Sequence, residues 1–232
     1  MDEPGLDPGA HHEALDALAR LNAWSGSARH LWAALEPLAA ESRGRPLRVL
    51  DLATGGGDLP SALASRARRA GLELEVDGCD SSPVALEHAR SRVPGSRFFR
   101  IDALEDELPG DYDVIVSSLF LHHLADEEAV ALLARMRAAA RAGVVLLDLD
   151  RSRIGLALSW LATRALVSSA VCRVDGPRSV RAAFTPGEAR ELARRARMEG
   201  ATVARRAPAR WLLTWWRAGV SADAQRGGSR WT

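Results

Sequence analysis

The chain has 232 residues and a formal net charge of +1, so it is long enough for one sizeable domain and carries no overall field that would attract nucleic acid or an acidic membrane. Every basic side chain other than histidine is an arginine, which excludes Schiff-base chemistry on lysine and the lysine of a P-loop. The two cysteines are far apart and have no partners at zinc-ligand spacing, so no metal site is predicted.

The first 12 residues are acidic and rich in Pro and Gly. They lack the apolar core of a signal peptide, so a cytoplasmic location is expected. Between Glu13 and Ala40 apolar residues recur at helical spacing, with an interruption near Ser25 and Gly26. This pattern predicts two helices with a turn between them, and we assign residues 1–43 to an N-terminal helical cap segment.

From Leu47 onward, short apolar stretches alternate with amphipathic helical stretches. Alternation of this kind predicts an α/β fold with a doubly wound, mostly parallel sheet, here of seven strands. Asp58 is predicted as the N-cap of the first of these helices, with Pro60 in its first turn. We assign residues 44–151 to a cofactor-binding core and residues 188–217 to its C-terminal part.

Residues 152–187 lie between these two parts and are predicted to form a substrate cap insertion. Ile154–Val171 reads as an apolar helix, in which Arg164 argues against a stable membrane span. Val174–Phe184 is polar and is predicted to be a loop. Residues 218–232 are rich in Ser, Gly and Arg and are predicted to be a flexible tail.

The stretch VLDLATGGGD, residues 49–58, places three consecutive glycines between a predicted strand and a predicted helix. Glycines at such a position allow a ligand to approach the backbone closely, and a strand, a turn and a helix N-terminus form the nucleotide site of a doubly wound sheet. The spacing matches neither GxGxxG nor a P-loop. A tight turn without a ligand is the alternative.

Two further aspartates end the next two predicted strands. Asp80 lies about twenty residues past the glycines, where a carboxylate can accept both hydroxyls of a ribose. Asp102 can help to recognise an adenine edge. Either residue alone could equally cap a helix, but acidic residues at consecutive strand ends favour a nucleoside-containing ligand.

These features resemble class I S-adenosylmethionine-dependent methyltransferases over most of residues 13–216. VLDLATGGGD is similar to their first motif, with Ala53 where the commonest pattern has its first glycine. That variant is typical of the ubiquinone/menaquinone methyltransferase-like branch. Two further stretches resemble the same branch, RLNAWSGSARHLW and RSVRAAFTPGEARELA. The resemblance implies a Rossmann-like methyltransferase fold with a helical cap, S-adenosyl-L-methionine as cofactor, and as its binding residues Asp51, Ala53, Thr54, Gly55, Gly57, Asp58, Asp80, Ser81, Asp102, Ala103, Ser118 and Leu119.

The stretch SSLFLHHLADEE follows the fourth predicted strand. Enzymes that methylate the amino groups of DNA have Asn/Asp-Pro-Pro-aromatic at this place, which the chain lacks. His122 and His123 would diverge by about 100° on a helix. One of them is predicted to be a catalytic base, because imidazole titrates near neutral pH. The alternative is that both pack at the start of the helix.

The cap offers aromatic and apolar side chains for the acceptor, with Trp24, Trp160, Arg181 and Phe184 as predicted substrate residues. We therefore expect a small, lipophilic aromatic acceptor of the phenol or hydroquinone type, with O-methylation favoured over C-methylation. A non-catalytic, partner-binding protein of this fold and a nicotinamide oxidoreductase are alternatives. The expected state is a monomer or a homodimer, without nucleic acid as a partner.

Overall fold

Seven strands form one sheet in the order β3-β2-β1-β4-β5-β7-β6. All pairings are parallel except those of β7, which runs antiparallel to both β5 and β6. The predicted fold class is therefore confirmed. In the computed structural model, which describes residues 19–42, 44–165 and 170–220, the strands are β1 Leu47–Leu52, β2 Leu74–Asp80, β3 Phe98–Arg100, β4 Val114–Ser118, β5 Gly143–Leu149, β6 Thr202–Arg206 and β7 Arg210–Trp216.

Helices cover both faces of the sheet, as the apolar character of its central strands requires. The described helices are α1 (residues 19–25), α2 Ser27–Glu41, α3 Asp58–Ala70, α4 Pro83–Arg92, α5 Asp126–Ala139, α6 Arg153–Ala165, α7 Ala170–Ala182 and α8 Pro186–Arg195. One core lies between α2, α3 and the sheet, and a second between α5, α8 and the opposite face. Because five neighbouring strands are parallel, their carboxyl ends meet at one edge, which we call the carboxyl edge.

The N-terminal helices pack against the sheet and against the turn after β1. Gly26 has a φ of 70° and separates α1 from α2, so the predicted break is confirmed. Leu31 and Leu35 of α2 are completely buried against the sheet. Asn22 of α1 donates from Nδ2 to Asp58 Oδ2 over 3.1 Å, which holds α1 above the turn after β1.

The helix α3 begins differently from the prediction. Its N-cap is Gly57, which has a left-handed φ of 74° and no side chain that could cap the helix. Asp58 is instead the first helical residue. The assignment of Asp58 as N-cap was therefore wrong by one residue, because the left-handed turn is completed only at the last of the three glycines.

The predicted loop over Val174–Phe184 was also wrong, since most of this segment belongs to α7. Gly176 and Pro177 indicated a loop, but α6 and α7 pack together. A Cβ added at Gly176 would lie 2.6 Å from Thr163 Cγ2, so the glycine permits the close approach of the two helices. Tertiary packing thus outweighs local propensity here.

The cap helix predicted over Ile154–Val171 ends at Ala165 in its described part, and residues 166–169 lie outside the described residues. The segment before residue 19, which includes the predicted helix start at Glu13, lies outside them as well. The same holds for the predicted flexible tail from residue 221 onward. Among the helices that are described, none has both the length and the apolar character needed to cross a bilayer.

Candidate active site at the carboxyl edge of the sheet

The turn after β1 has three residues with positive φ: Ala53 at 58°, Gly55 at 54° and Gly57 at 74°. A Cβ built on Gly55 would meet no protein atom within 4 Å, so the space in front of this glycine is open. A Cβ on Gly57 would instead lie 3.0 Å from the Cα of Ala89 in α4. The two glycines therefore serve different purposes, since one leaves room for a ligand and the other lets α4 pack closely.

Asp80 at the end of β2 is bound to this turn. Its Oδ2 accepts from the backbone N–H of Gly55 over 2.9 Å, and its Oδ1 accepts from that of Ser82 over 2.9 Å. The carboxylate is therefore fixed directly beside the open space at Gly55. Each carboxylate oxygen can accept two hydrogen bonds, so these contacts are compatible with the two ribose hydroxyls of a nucleoside. Ser81, next in sequence, is exposed.

Asp51 lies below the turn and is 2% exposed. Thr54 Oγ1 donates to its Oδ2 over 2.7 Å. Burial raises the pKa of the Asp51 carboxyl well above its usual range, the nearby charges of Asp58 and Asp80 add to the rise, and the bond from Thr54 opposes it. Asp51 thus helps to fix the conformation of the turn through its hydrogen bond with Thr54.

Asp102 follows β3 and is exposed, whereas Ala103 beside it is buried. Oδ1 of Asp102 accepts from the backbone N–H of Leu104 over 2.9 Å, and its own N–H donates to Asp106 Oδ2 over 2.8 Å. These bonds order the loop beside the turn after β1. Asp106 was not among the residues singled out from the sequence.

The end of β4 adds a strained residue and a hydroxyl that lacks a partner. Leu119 has a φ of 59°, and its N–H donates to Leu147 O over 2.8 Å. Ser118 Oγ is buried and bonds to no atom of the described residues. A buried hydroxyl without a partner is costly, so a water or another bound molecule that bonds to it would be stabilising.

His122 lies in a 3-10 turn, Leu121–His123, directly after β4. Its Nδ1 is 2.7 Å from Asp148 Oδ1, and its backbone N–H donates to Asp148 Oδ2 over 3.2 Å. A carboxylate at Nδ1 holds the proton of the neutral imidazole on that nitrogen, which leaves Nε2 as an acceptor. The pair can therefore act as a general base with a fixed tautomer.

The two histidine rings do not diverge as a regular helix would require. Their centroids are 4.2 Å apart with an angle of 36° between the ring planes. His122 is buried and His123 is exposed. The structure thus distinguishes two residues that the sequence left equivalent.

Sequence reasoning missed two charged residues at this edge, Asp148 near the end of β5 and Arg210 at the start of β7. Both are buried. A signal was present for Asp148, because a single aspartate stands within the apolar run GVVLLDL and a buried charge needs a partner. Arg210 could not have been found in this way, since the sequence does not show that β7 pairs with β5.

The predicted substrate residues are not brought together. Trp24 and Trp160 are 56% and 51% exposed, and the guanidinium of Arg164 lies 4.1 Å from the Trp160 ring centroid. Arg181 is exposed on α7. Phe184 is buried in the core beneath α8, where its carbonyl accepts from Trp211 Nε1 over 2.9 Å.

The described part of the chain contains no cluster of histidine, cysteine, aspartate and glutamate that could hold a metal ion. Two surface clefts, one beside Pro46 and Leu74 and the other beside Gly110 and Arg141, lie at the opposite edge of the sheet. Neither contains any of the residues described above. The groups that could carry chemistry are concentrated at the carboxyl edge.

Comparison with known proteins agrees with this geometry. Residues 49–143 match the model of a methyltransferase domain family. A segment of 88 residues is 39% identical to the demethylmenaquinone methyltransferase of Thermus thermophilus and covers 36% of this chain and 38% of that protein. A segment of 93 residues is 37% identical to the release factor glutamine methyltransferase of Mycobacterium tuberculosis and covers 38% of this chain and 29% of that protein. The matches thus span less than two thirds of these curated relatives.

Solved structures show the same fold over a larger share of the chain. Human N-acetylserotonin methyltransferase in complex with SAM superposes with a TM-score of 0.67 at 18% identity, covering 91% of this chain and 56% of that chain. The plantazolicin methyltransferase BpumL in complex with SAH gives a TM-score of 0.64 at 15% identity, with coverages of 87% and 88%. The family match over residues 49–143, the curated relatives and the shared fold together support a class I S-adenosylmethionine-dependent methyltransferase.

Proposed function

We propose that this protein methylates a hydroxyl group of a small aromatic acceptor, with His122 as the general base. The observation that carries the proposal is the 2.7 Å contact between His122 Nδ1 and Asp148 Oδ1 at the carboxyl edge of a methyltransferase sheet. A phenol loses its proton as it is methylated, and an imidazole whose Nε2 is free to accept is suited to take that proton.

The residues around the turn after β1 fit S-adenosylmethionine. We assign the ribose to Asp80, the methionine part to the backbone at Gly55, with Gly57 completing the turn, and the adenine to Asp102 and Ala103. The open space at Gly55 and the fixed carboxylate of Asp80 support this assignment. When bound, S-adenosylmethionine supplies an activated methyl group. The remaining predicted cofactor residues are Asp51, Ala53, Thr54, Asp58, Ser81, Ser118 and Leu119.

His122 then has one task, which is to remove the proton of the acceptor hydroxyl through Nε2. Asp148 holds the ring and stabilises the imidazolium that forms. Because the pair is buried, water competes weakly for the acceptor oxygen. His123 is exposed and contributes to the wall of the site rather than to proton transfer.

The acceptor binds between the carboxyl edge and the cap formed by α1, α6 and α7. α7 packs against the 3-10 turn that carries His122, which supports a role for this helix in closing the site. We retain Trp24, Trp160, Arg181 and Phe184 as proposed substrate residues. The exposure of the first three in the described chain is consistent with a cap whose inner surface is completed when an acceptor binds.

The test is an incubation of the purified protein with S-adenosylmethionine and a panel of hydroxylated aromatic compounds. Each compound is paired with its own methyl ether, in which the hydroxyl is blocked. We expect S-adenosylhomocysteine and an O-methylated product from at least one free phenol and from none of the ethers. Binding of S-adenosylhomocysteine without transfer to any phenol would contradict the acceptor class, and absence of that binding would favour the non-catalytic alternative.

A further inference from the structure

Arg210 is a buried cation whose hydrogen bonds are incomplete. Its side chain extends from the start of β7 towards the turn between α1 and α2, where Nη2 donates to Ser25 Oγ. The residue is 6% exposed. Its Nε and Nη1 are buried and find no acceptor anywhere in the described residues. Burial lowers the pKa of Arg210 to about 10, with a small opposing effect from Asp148.

The neighbouring carboxylates are engaged with other groups. Oδ1 of Asp148 accepts from Leu149 N over 2.7 Å in addition to its contact with His122. Asp150 Oδ2 accepts from Arg205 Nε over 3.2 Å. Among the described residues neither aspartate forms a hydrogen bond with the guanidinium of Arg210, although Asp150 Oδ1 is itself buried without a partner. These acids therefore do not supply the acceptors that Nε and Nη1 of Arg210 need.

Positive charge is in excess around Arg210. His30 Nε2 lies 2.8 Å from Ala207 O, and its pKa is lowered by burial and further by the charges of Arg29, Arg206 and Arg210. Arg206 is also buried. A site that combines buried arginines, guanidinium N–H groups without acceptors and a surplus of positive charge is complementary to an anion.

The position of Arg210 connects this site with the chemistry. Arg210 pairs with Leu149 in the register of β5 and β7, one residue beyond Asp148. It therefore lies at the carboxyl edge, beside the strand that carries the partner of His122 and beneath the α1–α2 cap. The side chains of Arg210 and Asp148 leave the sheet on opposite faces, so a molecule whose hydroxyl reaches His122 approaches Arg210 across the carboxyl edge, where the two faces meet.

We propose that Arg210 binds a carboxylate of the acceptor, so that the substrate is an aromatic acid that also carries the hydroxyl to be methylated. The inference rests on the proposed function, which it narrows. The planar guanidinium matches the geometry of a carboxylate, which can accept from the N–H groups that now lack partners. This assignment revises the expectation of a purely lipophilic acceptor.

The test compares 4-hydroxybenzoate with 4-hydroxybenzamide, which have the same ring and hydroxyl but differ in charge. Each is titrated by calorimetry into the protein saturated with S-adenosylhomocysteine. We expect the acid to bind about 10- to 150-fold more tightly than the amide, as a charge-assisted bond would give. In Arg210→Met this preference should disappear. In Arg205→Met, the matched control that removes a neighbouring arginine, it should remain.

Thermal unfolding separates this role from a structural one. If Arg210 is kept for binding, Arg210→Met should leave the melting temperature unchanged or raise it, because an incompletely bonded buried charge is removed. If the variant does not fold, Arg210→Lys keeps the charge without the planar fork and should retain only part of the preference for the acid. Equal binding of acid and amide to the wild type, or no binding of either, would overturn the proposal.

The proposed function is tested separately in the same samples. Saturation with S-adenosylhomocysteine reports on the cofactor site, and addition of S-adenosylmethionine to the bound acid reports on methyl transfer. Selective binding of the acid without transfer would refute the proposed reaction while leaving the role of Arg210 standing. Transfer without any selectivity for the acid would refute the role of Arg210 while leaving the proposed reaction standing.

Discussion

The carboxyl edge of the sheet has two halves with opposite hydrogen-bonding character. In the half formed by β1, β2 and β3, Asp51 and Asp80 are held by bonds from Thr54, Gly55 and Ser82. In the half formed by β4, β5 and β7, four buried atoms lack a partner among the described residues: Ser118 Oγ, Asp150 Oδ1, Arg210 Nε and Arg210 Nη1.

This difference indicates how the two halves meet their ligands. The first half is complete before anything binds, which suits a cofactor that is the same in every reaction cycle and benefits from a preorganised site. The second half is left with unmet bonds, and a polar molecule that satisfies them is bound selectively. The four predictions below test whether the two halves are as separate as this comparison suggests.

The largest effect is expected from His122→Gln. Loss of a general base lowers turnover by about 100- to 10,000-fold, because the acceptor hydroxyl must then lose its proton to water. Affinity for S-adenosylhomocysteine should change little, since His122 belongs to the other half. Initial rates of S-adenosylhomocysteine formation measure the effect, with His123→Gln as the adjacent control. Equal losses in the two variants would remove the distinction between the histidines.

The next effect is on the cofactor half, through Asp80→Ala. Charge-assisted bonds to two ribose hydroxyls contribute about 1.5–3 kcal/mol, so affinity for S-adenosylhomocysteine should fall about 10- to 150-fold. Titration calorimetry measures it. Asp111→Ala is the control, because that carboxylate pairs with Arg48 at the opposite edge of the sheet. Wild-type affinity in Asp80→Ala would remove the ribose assignment.

A pH effect should follow from Asp51. Its folded-state pKa is raised, chiefly by burial, so the native state holds a proton that the unfolded chain releases. Stability therefore falls as pH rises from about 4, the unfolded value, through the folded pKa, with a slope of at most about 1.4 kcal/mol per pH unit. Asp51→Asn should remove this slope in urea unfolding followed from pH 4 to 8.

Asp113 provides a control of opposite sign for that measurement. Burial acts to raise the pKa of its carboxyl, but the bonds from Arg45 and from the backbone of Arg48 outweigh burial and lower it. Its contribution to stability is therefore present above the unfolded pKa and is lost as pH falls through the folded one. With urea unfolding extended down to pH 2, Asp113→Asn should flatten the loss of stability below about pH 4, whereas Asp51→Asn flattens the fall above it. A change on the same side of pH 4 in both variants would contradict the assignment.

The smallest effect separates two glycines of one turn. Alanine at Gly55 or Gly57 adds a side chain at positive φ, which costs about 1–2 kcal/mol of stability. Gly57→Ala should lose more stability, because its Cβ meets Ala89 at 3.0 Å. Gly55→Ala should lose more cofactor affinity, because its Cβ enters the open space. Urea unfolding measures the loss of stability in both variants, and calorimetry measures the loss of affinity for S-adenosylhomocysteine. If the same variant showed the larger loss in both measurements, the division of roles would be contradicted.

Much of the fold, including the turn after β1, could be predicted because the relevant signals are local. The apolar runs that become β1, β4 and β5, the glycines after β1 and the aspartate that ends β2 all lie within a few residues of the feature they determine. Even there, the N-cap of α3 was misplaced by one residue, since a left-handed turn has no signal beyond glycine itself. The α7 segment was misread because packing against α6 overrides a Gly-Pro pair.

The sequence by itself determined the alternation of strands and helices, the bare turn after β1 and the family resemblance, because each depends on residues that are close together along the chain. Only the tertiary structure decided which histidine is oriented, that Asp148 orients it, and that Arg210 is buried with N–H groups that lack acceptors. Those contacts join residues 26 and 185 positions apart in sequence. Periodicity and spacing carry no information about such pairs, because the sheet order and the packing of the N-terminal helices on the sheet create them.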